Sequence, residues 1–371
     1  MDTPKSRFLR SWRLLILVSQ LFGITFFRDR ISFVVAFVYR FIILAILIAI
    51  LVDQLPIIIY WTRLQPSKVD AMLQIMKLSI AWTNYFLNFL LTCFKNREIW
   101  DIINILVHLD LNLPDKVFRK LCCRQIRRFI LIYALILTFQ ILSVPLSPPQ
   151  IRKGHSSVSY IFIDSLTTIV ILQFVEFVMF VREYYVCLNT RLTQLREELI
   201  TEYGVHAEDK ACKEVNRLRI LHFTLIDTCR MMNNVYQIQI LLVLIRCFIE
   251  ATTVLAALID EGAGGSVLSY IFRVVGIVVS LLLIWLIGHC CHLTVEESKL
   301  TASVVSTLAN NVKSESVRDE LRIFTIQTLQ VPVDFTVFQF FSLNHEIMTK
   351  VIISISSYII IIYTFQLSHE N

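Results

Sequence analysis

The chain has 371 residues, of which 56% are hydrophobic and only 17% charged, against roughly 45–50% and about 25% in soluble globular chains. The count of only 8 Gly and 8 Pro argues against a Gly-rich nucleotide loop, a collagen repeat or a long disordered linker. The net charge of +6 makes no case for nucleic acid in so apolar a chain; it belongs to membrane topology.

Apolar residues collect in seven runs long enough to cross a bilayer, for which about 20 are needed per helix. Before them, Leu14–Val18 is too short for the apolar part of a cleaved signal, and no small-residue cleavage site follows. The first span lies within Ser32–Trp61, its edges blurred by Arg40, Asp53 and Pro56. The second runs near Met72–Phe94, the third Phe129–Leu146 and the fourth Tyr160–Val181. The fifth runs near Val235–Ile259, the sixth Val267–His289 and the seventh Ile347–Leu367. None alternates as barrel strands do. The fold class is all-α: a polytopic membrane protein with seven transmembrane helices.

Orientation follows from Lys and Arg. The N-terminal tail and the second, fourth and sixth connections hold 27 of the 35. The opposite side holds only Arg63, Lys68, Arg152 and Lys153. The expected topology is a cytoplasmic N-terminus and an extracellular C-terminus. Cysteine placement agrees: none of the nine falls in an external loop, so an extracellular disulfide is excluded. The domains read as a cytoplasmic tail (1–31), spans one to six with long helical cytoplasmic loops at 95–128 and 182–234 (32–293), a cytoplasmic segment (294–346), and the seventh helix with a short external stub (347–371).

The fourth connection is helical by pattern. Leu188, Leu192, Leu195 and Leu199 recur at helical spacing, and Gly204 marks a break. Val215, Leu218, His222, Leu225, Cys229, Met232 and Tyr236 then follow a 3-4 spacing into the fifth span. Two helices leaving the membrane and packing on each other explain this seam, which also offers an oligomerisation platform.

On the seventh helix Lys350, Ser354, Ser357, Ile361 and Thr364 share one face. The other residues from Val351 to Phe365 are apolar apart from Ser356, Tyr358 and Tyr363. Either the hydroxyls pack closely against a neighbouring helix, or they line an aqueous path. Elsewhere, His289-Cys290-Cys291-His292 has a metal site's composition, but four consecutive helical residues point in different directions and close no tetrahedron alone. Cys122-Cys123 beside Arg119, Lys120 and Arg124 suits acylation near a membrane. Glu296-Glu297 reads as a solvated helix face. No nucleophile, Gly loop or ligand spacing accompanies them, so no enzyme, metal or cofactor is expected.

The C-terminal residues Phe324, Gln327, Phe335, Thr336, Phe340, Phe341, Leu343 and Asn344, then Ser357-Tyr358 and Phe365, resemble the signature of insect gustatory receptors. These are seven-transmembrane chemoreceptor channels related to insect odorant receptors. The family motif is Thr-Tyr, five hydrophobic residues, then Gln-Phe. Here Ser357 replaces Thr, Thr364 stands where the family has Gln, and Gln366 comes two positions late. The resemblance implies a tetrameric, ligand-gated, non-selective cation channel in the plasma membrane of chemosensory neurons. It implies a small-molecule tastant and membrane lipids as partners, and a homotetramer or a heteromer with related subunits. The implied pore lies along Ser354, Ser357, Tyr358, Ile361, Thr364, Phe365 and Gln366, with Ile361, Thr364 and Phe365 as its constriction. The implied anchor is the helical extension of the middle spans with the segment before the last.

The ligand pocket implied for this family lies in the outer half of spans two to six. Depth and polarity nominate Met76, Ser79, Trp82, Gln140, Ser143, Tyr160, Asp164, Thr168, Arg246, Glu250, Thr253, Tyr270 and Arg273. Charges at membrane depth cost several kcal/mol unless paired or hydrated. Arg246 and Glu250, spaced i, i+4, either neutralise each other or face a ligand. Asp164 and Arg273 either snorkel to the interface or touch ligand. Aromatic outer halves favour bitter or other small amphipathic compounds over sugars, which need several convergent polar groups. A G-protein-coupled receptor is the first rival, opposed by the charge split. A secondary transporter is the second, opposed by the absence of internal repeats and Gly/Pro-broken helices.

Overall fold

A computed structural model describes residues 68–110, 115–143, 155–201, 205–260 and 267–370, with scattered helical positions between 35 and 52. The elements are α1 (Lys68–Asp110), α2 (Asp115–Ser143), α3 (His155–Thr201), α4 (Val205–Asp260), α5 (Val267–Asn311), α6 (Glu315–Gln330), β1 (Thr336–Val337), β2 (Phe341–Ser342) and α7 (Glu346–Glu370). The span expected within Ser32–Trp61 lies largely outside the described residues. Among those described, the stretches Glu208–Leu255 and Val274–Asn311 are long and apolar enough to cross a membrane.

The helices outrun the apolar runs that predict them. Past Phe94, the chain keeps a helical period: Ile99, Ile102, Ile103, Leu106 and Val107 are all buried, so α1 continues to Asp110. The same holds for α3, α4 and α5, whose extensions form a second bundle at the end carrying the Lys- and Arg-rich connections. Two cores result. The larger joins α1, α3, α4 and α5 with the segment before α7, around Phe174, Phe177, Phe180, Tyr184, Tyr236 and Phe335. The Tyr184 hydroxyl donates to the Leu106 carbonyl at 3.0 Å, tying α3 to α1. The smaller gathers Leu188, Leu192 and Leu195 of α3, Val215 and Leu218 of α4, Val305 and Leu308 of α5, and Val317, Leu321 and Phe324 of α6.

Every residue of the 3-4 seam from Val215 to Tyr236 is buried. Its neighbours in the two cores are α1, α3, α5, α6 and the segment before α7 of the same chain. The packing of the two extensions therefore matches the pattern, but as an oligomerisation platform the seam is already occupied within the subunit. Polar bonds fix the register: Asn189 of α3 donates to the Glu297 carbonyl at 3.0 Å, and Thr301 of α5 donates to the Asn189 side-chain oxygen at 2.7 Å. The solvated reading of Glu297 needs correction. It is half-buried, with Arg182 of α3 at 3.5 Å, whereas Glu296 is exposed beside Lys299. Arg191 of α3 adds a bond to Glu214 of α4 at 3.0 Å.

Between α6 and α7 the chain makes a two-stranded hairpin, Thr336 opposite Ser342 and Val337 opposite Phe341. Its turn has Phe338 and Gln339 at φ 49° and 61°, a conformation in which Gly or Asn is usual. Asn233 of α4 accepts the Thr336 N–H at 3.1 Å and holds the hairpin down.

The segment then enters α7 against Gly288 of α5. A Cβ there would lie 2.6 Å from the Asn344 carbonyl oxygen and 3.0 Å from Ile347 Cγ2. Since the obstacle is backbone, Gly288→Ala is expected to push the start of α7 off α5, at about 1–3 kcal/mol. A lowered thermal midpoint in purified protein checks this; an unchanged midpoint with unaltered packing contradicts it.

Candidate functional site

Helix α7 has two chemically different faces. Ile347 and Ile355 are buried, Val351 packs against the larger core, and Tyr358 meets Phe248 of α4 with ring centroids 5.9 Å apart. Exposed on the rest of the helix are Lys350, Ser354, Ser357, Ile361 and Thr364 along one line, flanked by Ile352, Ile353, Ser356 and Ile360. Each hydroxyl is satisfied within the helix: Ser354 donates to the Lys350 carbonyl at 2.8 Å, Ser357 to Ile353 at 2.9 Å, and Thr364 to Ile361 at 2.8 Å. Such back-bonding lets a hydroxyl sit in an apolar helix without a partner helix. Within the subunit the hydroxyl seam is therefore open. Tyr358, grouped with the pore residues from sequence, meets Phe248 of α4 and stays partly exposed at the edge of that face. Phe365 and Gln366 fall within α7, but their side chains lie outside the described residues.

The parts of α3, α4 and α5 away from the Lys- and Arg-rich connections form a second group. Arg246 of α4 donates to Thr167 of α3 at 3.1 Å, beside the buried Thr168. Ser280 of α5 donates to Glu250 of α4 at 3.5 Å. Thus the i, i+4 charges on α4 each reach a hydroxyl on a flanking helix. Thr253, also buried, bonds the Ile249 carbonyl. On α1, Met76 is half-buried, Ser79 is exposed and donates to the Met76 carbonyl at 3.0 Å, and Trp82 packs against the larger core. The structure brings Arg246, Glu250 and the Thr167–Thr168 pair onto adjoining helices. Thr167 and Ser280 were not among the residues nominated from sequence; a hydroxyl at membrane depth was the only signal either gave. The side chains of Gln140, Ser143, Tyr160, Asp164, Tyr270 and Arg273 lie outside the described residues.

The cavities among the described residues include two open ones away from this group, both toward the basic end. One of about 410 Å³ is lined by charged residues of α3 and α4, among them Arg191, Glu198, Lys213 and Glu214. The other, about 530 Å³, lies between α4 and the hairpin. Neither is formed by the pocket candidates. Cys290 and Cys291 are buried in the core, and among the described residues no three His, Cys, Asp or Glu side chains are placed to hold a metal ion.

Some exposed apolar residues cluster on the outer surface of the second bundle. Ile323, Ile326 and Leu329 of α6 recur at helical spacing, and Phe340 of the hairpin is 84% exposed. Large apolar side chains left exposed together on one subunit surface mark a candidate interaction site.

The sequence matches a family model described as 7tm chemosensory receptor over residues 12–369. No curated protein sequence matches the chain. Among solved structures, the insect olfactory receptor OR5 from Machilis hrabei superposes with a TM-score of 0.73 at 13% identity, covering 95% of this chain and 98% of that one. The same receptor in complex with eugenol gives 0.76 at 14% identity, covering 96% and 98%. At that identity the likeness concerns the fold.

Proposed function

We propose that this chain, which belongs to the 7tm chemosensory receptor family, is a taste receptor that works as a ligand-gated, non-selective cation channel. The observation that carries the reading is the open face of α7. Ser354, Ser357, Ile361 and Thr364 are exposed, while the opposite face is buried against α4 and α5. Four subunits placed with those faces toward a common axis enclose an aqueous path lined by hydroxyls and closed by a ring of Ile361. Permeation of this kind is transport down a gradient and requires no catalytic group.

In the proposed topology the basic end faces the cytoplasm of a chemosensory neuron and the C-terminus faces outside, as the Lys and Arg distribution favours. The exposed surface of Ile323, Ile326, Leu329 and Phe340 supplies subunit contacts, with identical or related chains. The ligand binds in the outer bundle, where Arg246 and Glu250 with their hydroxyl partners are a few polar anchors among apolar walls. That chemistry suits bitter or other small amphipathic molecules, and the eugenol bound by the similar olfactory receptor is of this kind. The contact of Phe248 with Tyr358 provides a route from α4 to α7. A ligand that shifts α4 shifts the pore helix with it.

Recording agonist-evoked currents in a heterologous cell tests the reading. Thr364→Gln, which installs the family's usual residue on the open face, is expected to change unitary conductance or cation preference while leaving gating by agonist in place. Thr364→Gln currents identical to the parent's in both properties put Thr364 outside the conduction path.

A further inference from the structure

At the foot of α7 three imidazoles meet across the junction with α5. His345, the residue before α7, has its ring centroid 4.3 Å from that of His292 and 5.2 Å from that of His289. His289 is stacked on Trp285 at 4.7 Å with the rings 9° from parallel, and its Nδ1 is buried without a hydrogen-bond partner among the described residues. Directly before His289, Gly288 lets the Asn344 carbonyl come so close that an added Cβ would lie 2.6 Å from its oxygen. Three imidazoles, each able to take up a proton, are thus held together where the pore helix leans on the ligand-carrying bundle.

We propose that this junction is a proton sensor: acid on the basic side charges the three histidines, drives the start of α7 away from α5, and uncouples the ligand bundle from the pore. Their charged surroundings do not neutralise the cluster. On α5, Glu296 lies near His292 but already pairs with Lys299 at 3.0 Å. On α3, Arg182 lies near His289 and adds a further positive charge, itself shared between Glu183 at 4.0 Å and Glu297 at 3.5 Å. At the α7 entry, Glu346 follows His345 and pairs with Lys350 at 3.2 Å. Like charges a few ångströms apart repel, and the least costly relief is movement of the exposed His345 with the chain that carries it. The tight Gly288 contact is then lost.

The functional readout rests on the channel reading, so the test has a second arm that does not. In inside-out patches, lowering the pH at the cytoplasmic face from about 7.5 to about 5.5 is expected to reduce agonist-evoked open probability about fivefold or more. His345→Asn should remove most of that inhibition while its current at the higher pH equals the parent's. In purified protein in lipid nanodiscs, the fluorescence due to Trp285, taken as the difference between parent and Trp285→Phe, should fall over the same range as His289 charges. His345→Asn should move that midpoint to higher pH, because a repelling neighbour is gone. A Trp285 signal independent of pH, or a midpoint indifferent to His345→Asn, overturns the sensor whether or not currents are seen. A coupled fluorescence transition in a protein that carries no current leaves the sensor standing and overturns the channel reading instead.

Discussion

Leu218→Asp combined with Leu225→Asp is expected to abolish folding of the subunit, not merely its assembly. Both side chains are buried, at 2% and 0% exposure, Leu218 in the smaller core with α3, α5 and α6 and Leu225 in the larger core with α1, α3 and α5 of the same chain. A carboxylate at either position loses its hydration with no cation built to receive it, at several kcal/mol each. Total stabilities are on the order of 5–15 kcal/mol, so the pair removes most or all of it. Size-exclusion chromatography of detergent-solubilised protein should show aggregate in place of a sharp peak. The contrasting variant is Leu329→Asp, at a side chain 70% exposed on α6. It should leave the subunit monodisperse and, on the proposed assembly, release single subunits. A sharp subunit peak for the double variant contradicts the intrachain core.

A second large effect is expected from pH. His222 sits in the same bundle, 1% exposed, with Tyr185 and Phe324 rings 5.7 and 5.4 Å away. Neither ring nitrogen has a hydrogen-bond partner among the described residues. Burial among aromatic rings pushes the imidazole down to about 4, because the cation cannot be hydrated there. The folded value lies below the unfolded one of about 6.5. As pH falls below the unfolded value, the unfolded chain takes up a proton that the folded chain refuses. Stability from this group is therefore complete above about pH 6.5 and drains away toward pH 4, by roughly 3 kcal/mol. His222→Phe keeps the aromatic packing and removes the proton site. Thermal unfolding should show the parent's midpoint falling across this window and the variant's falling less. Equal slopes would place the acid sensitivity elsewhere.

Much of the bundle was legible in the sequence because burial on a helix leaves a period. Leu188, Leu192 and Leu195, and the run from Val215 to Tyr236, are buried as their spacing requires. The helical extension of α1 was legible for the same reason. The hairpin was not, since Phe338 and Gln339 occupy left-handed positions without the Gly or Asn that announces such a turn. What the sequence left open was which element each face meets. Period alone grouped Ser354, Ser357 and Thr364, but only the packing of Ile347 and Ile355 on the opposite side established that the hydroxyl face is uncovered in the subunit. Arg246 and Glu250 stood out as charges at membrane depth. Their partners Thr167 and Ser280 lie 79 and 30 residues away along the chain, and no local pattern selects one hydroxyl among many. His345 is separated from His292 in the same way, and their proximity arises from how the hairpin returns the chain to α5.

The most direct measurement is cysteine accessibility along α7 under voltage clamp. Single cysteines at 357, 361 and 364, on the open face, should each react with a small charged thiol reagent applied outside and reduce agonist-evoked current. Reaction at 361 should be faster with agonist present, because a ring of apolar side chains excludes water until it opens. Cysteine at 355, on the buried face, should remain inert in both conditions. Inert cysteines at 357, 361 and 364, with block arising instead from 355 or 360, would contradict the account and place the conduction path on another face of the helix.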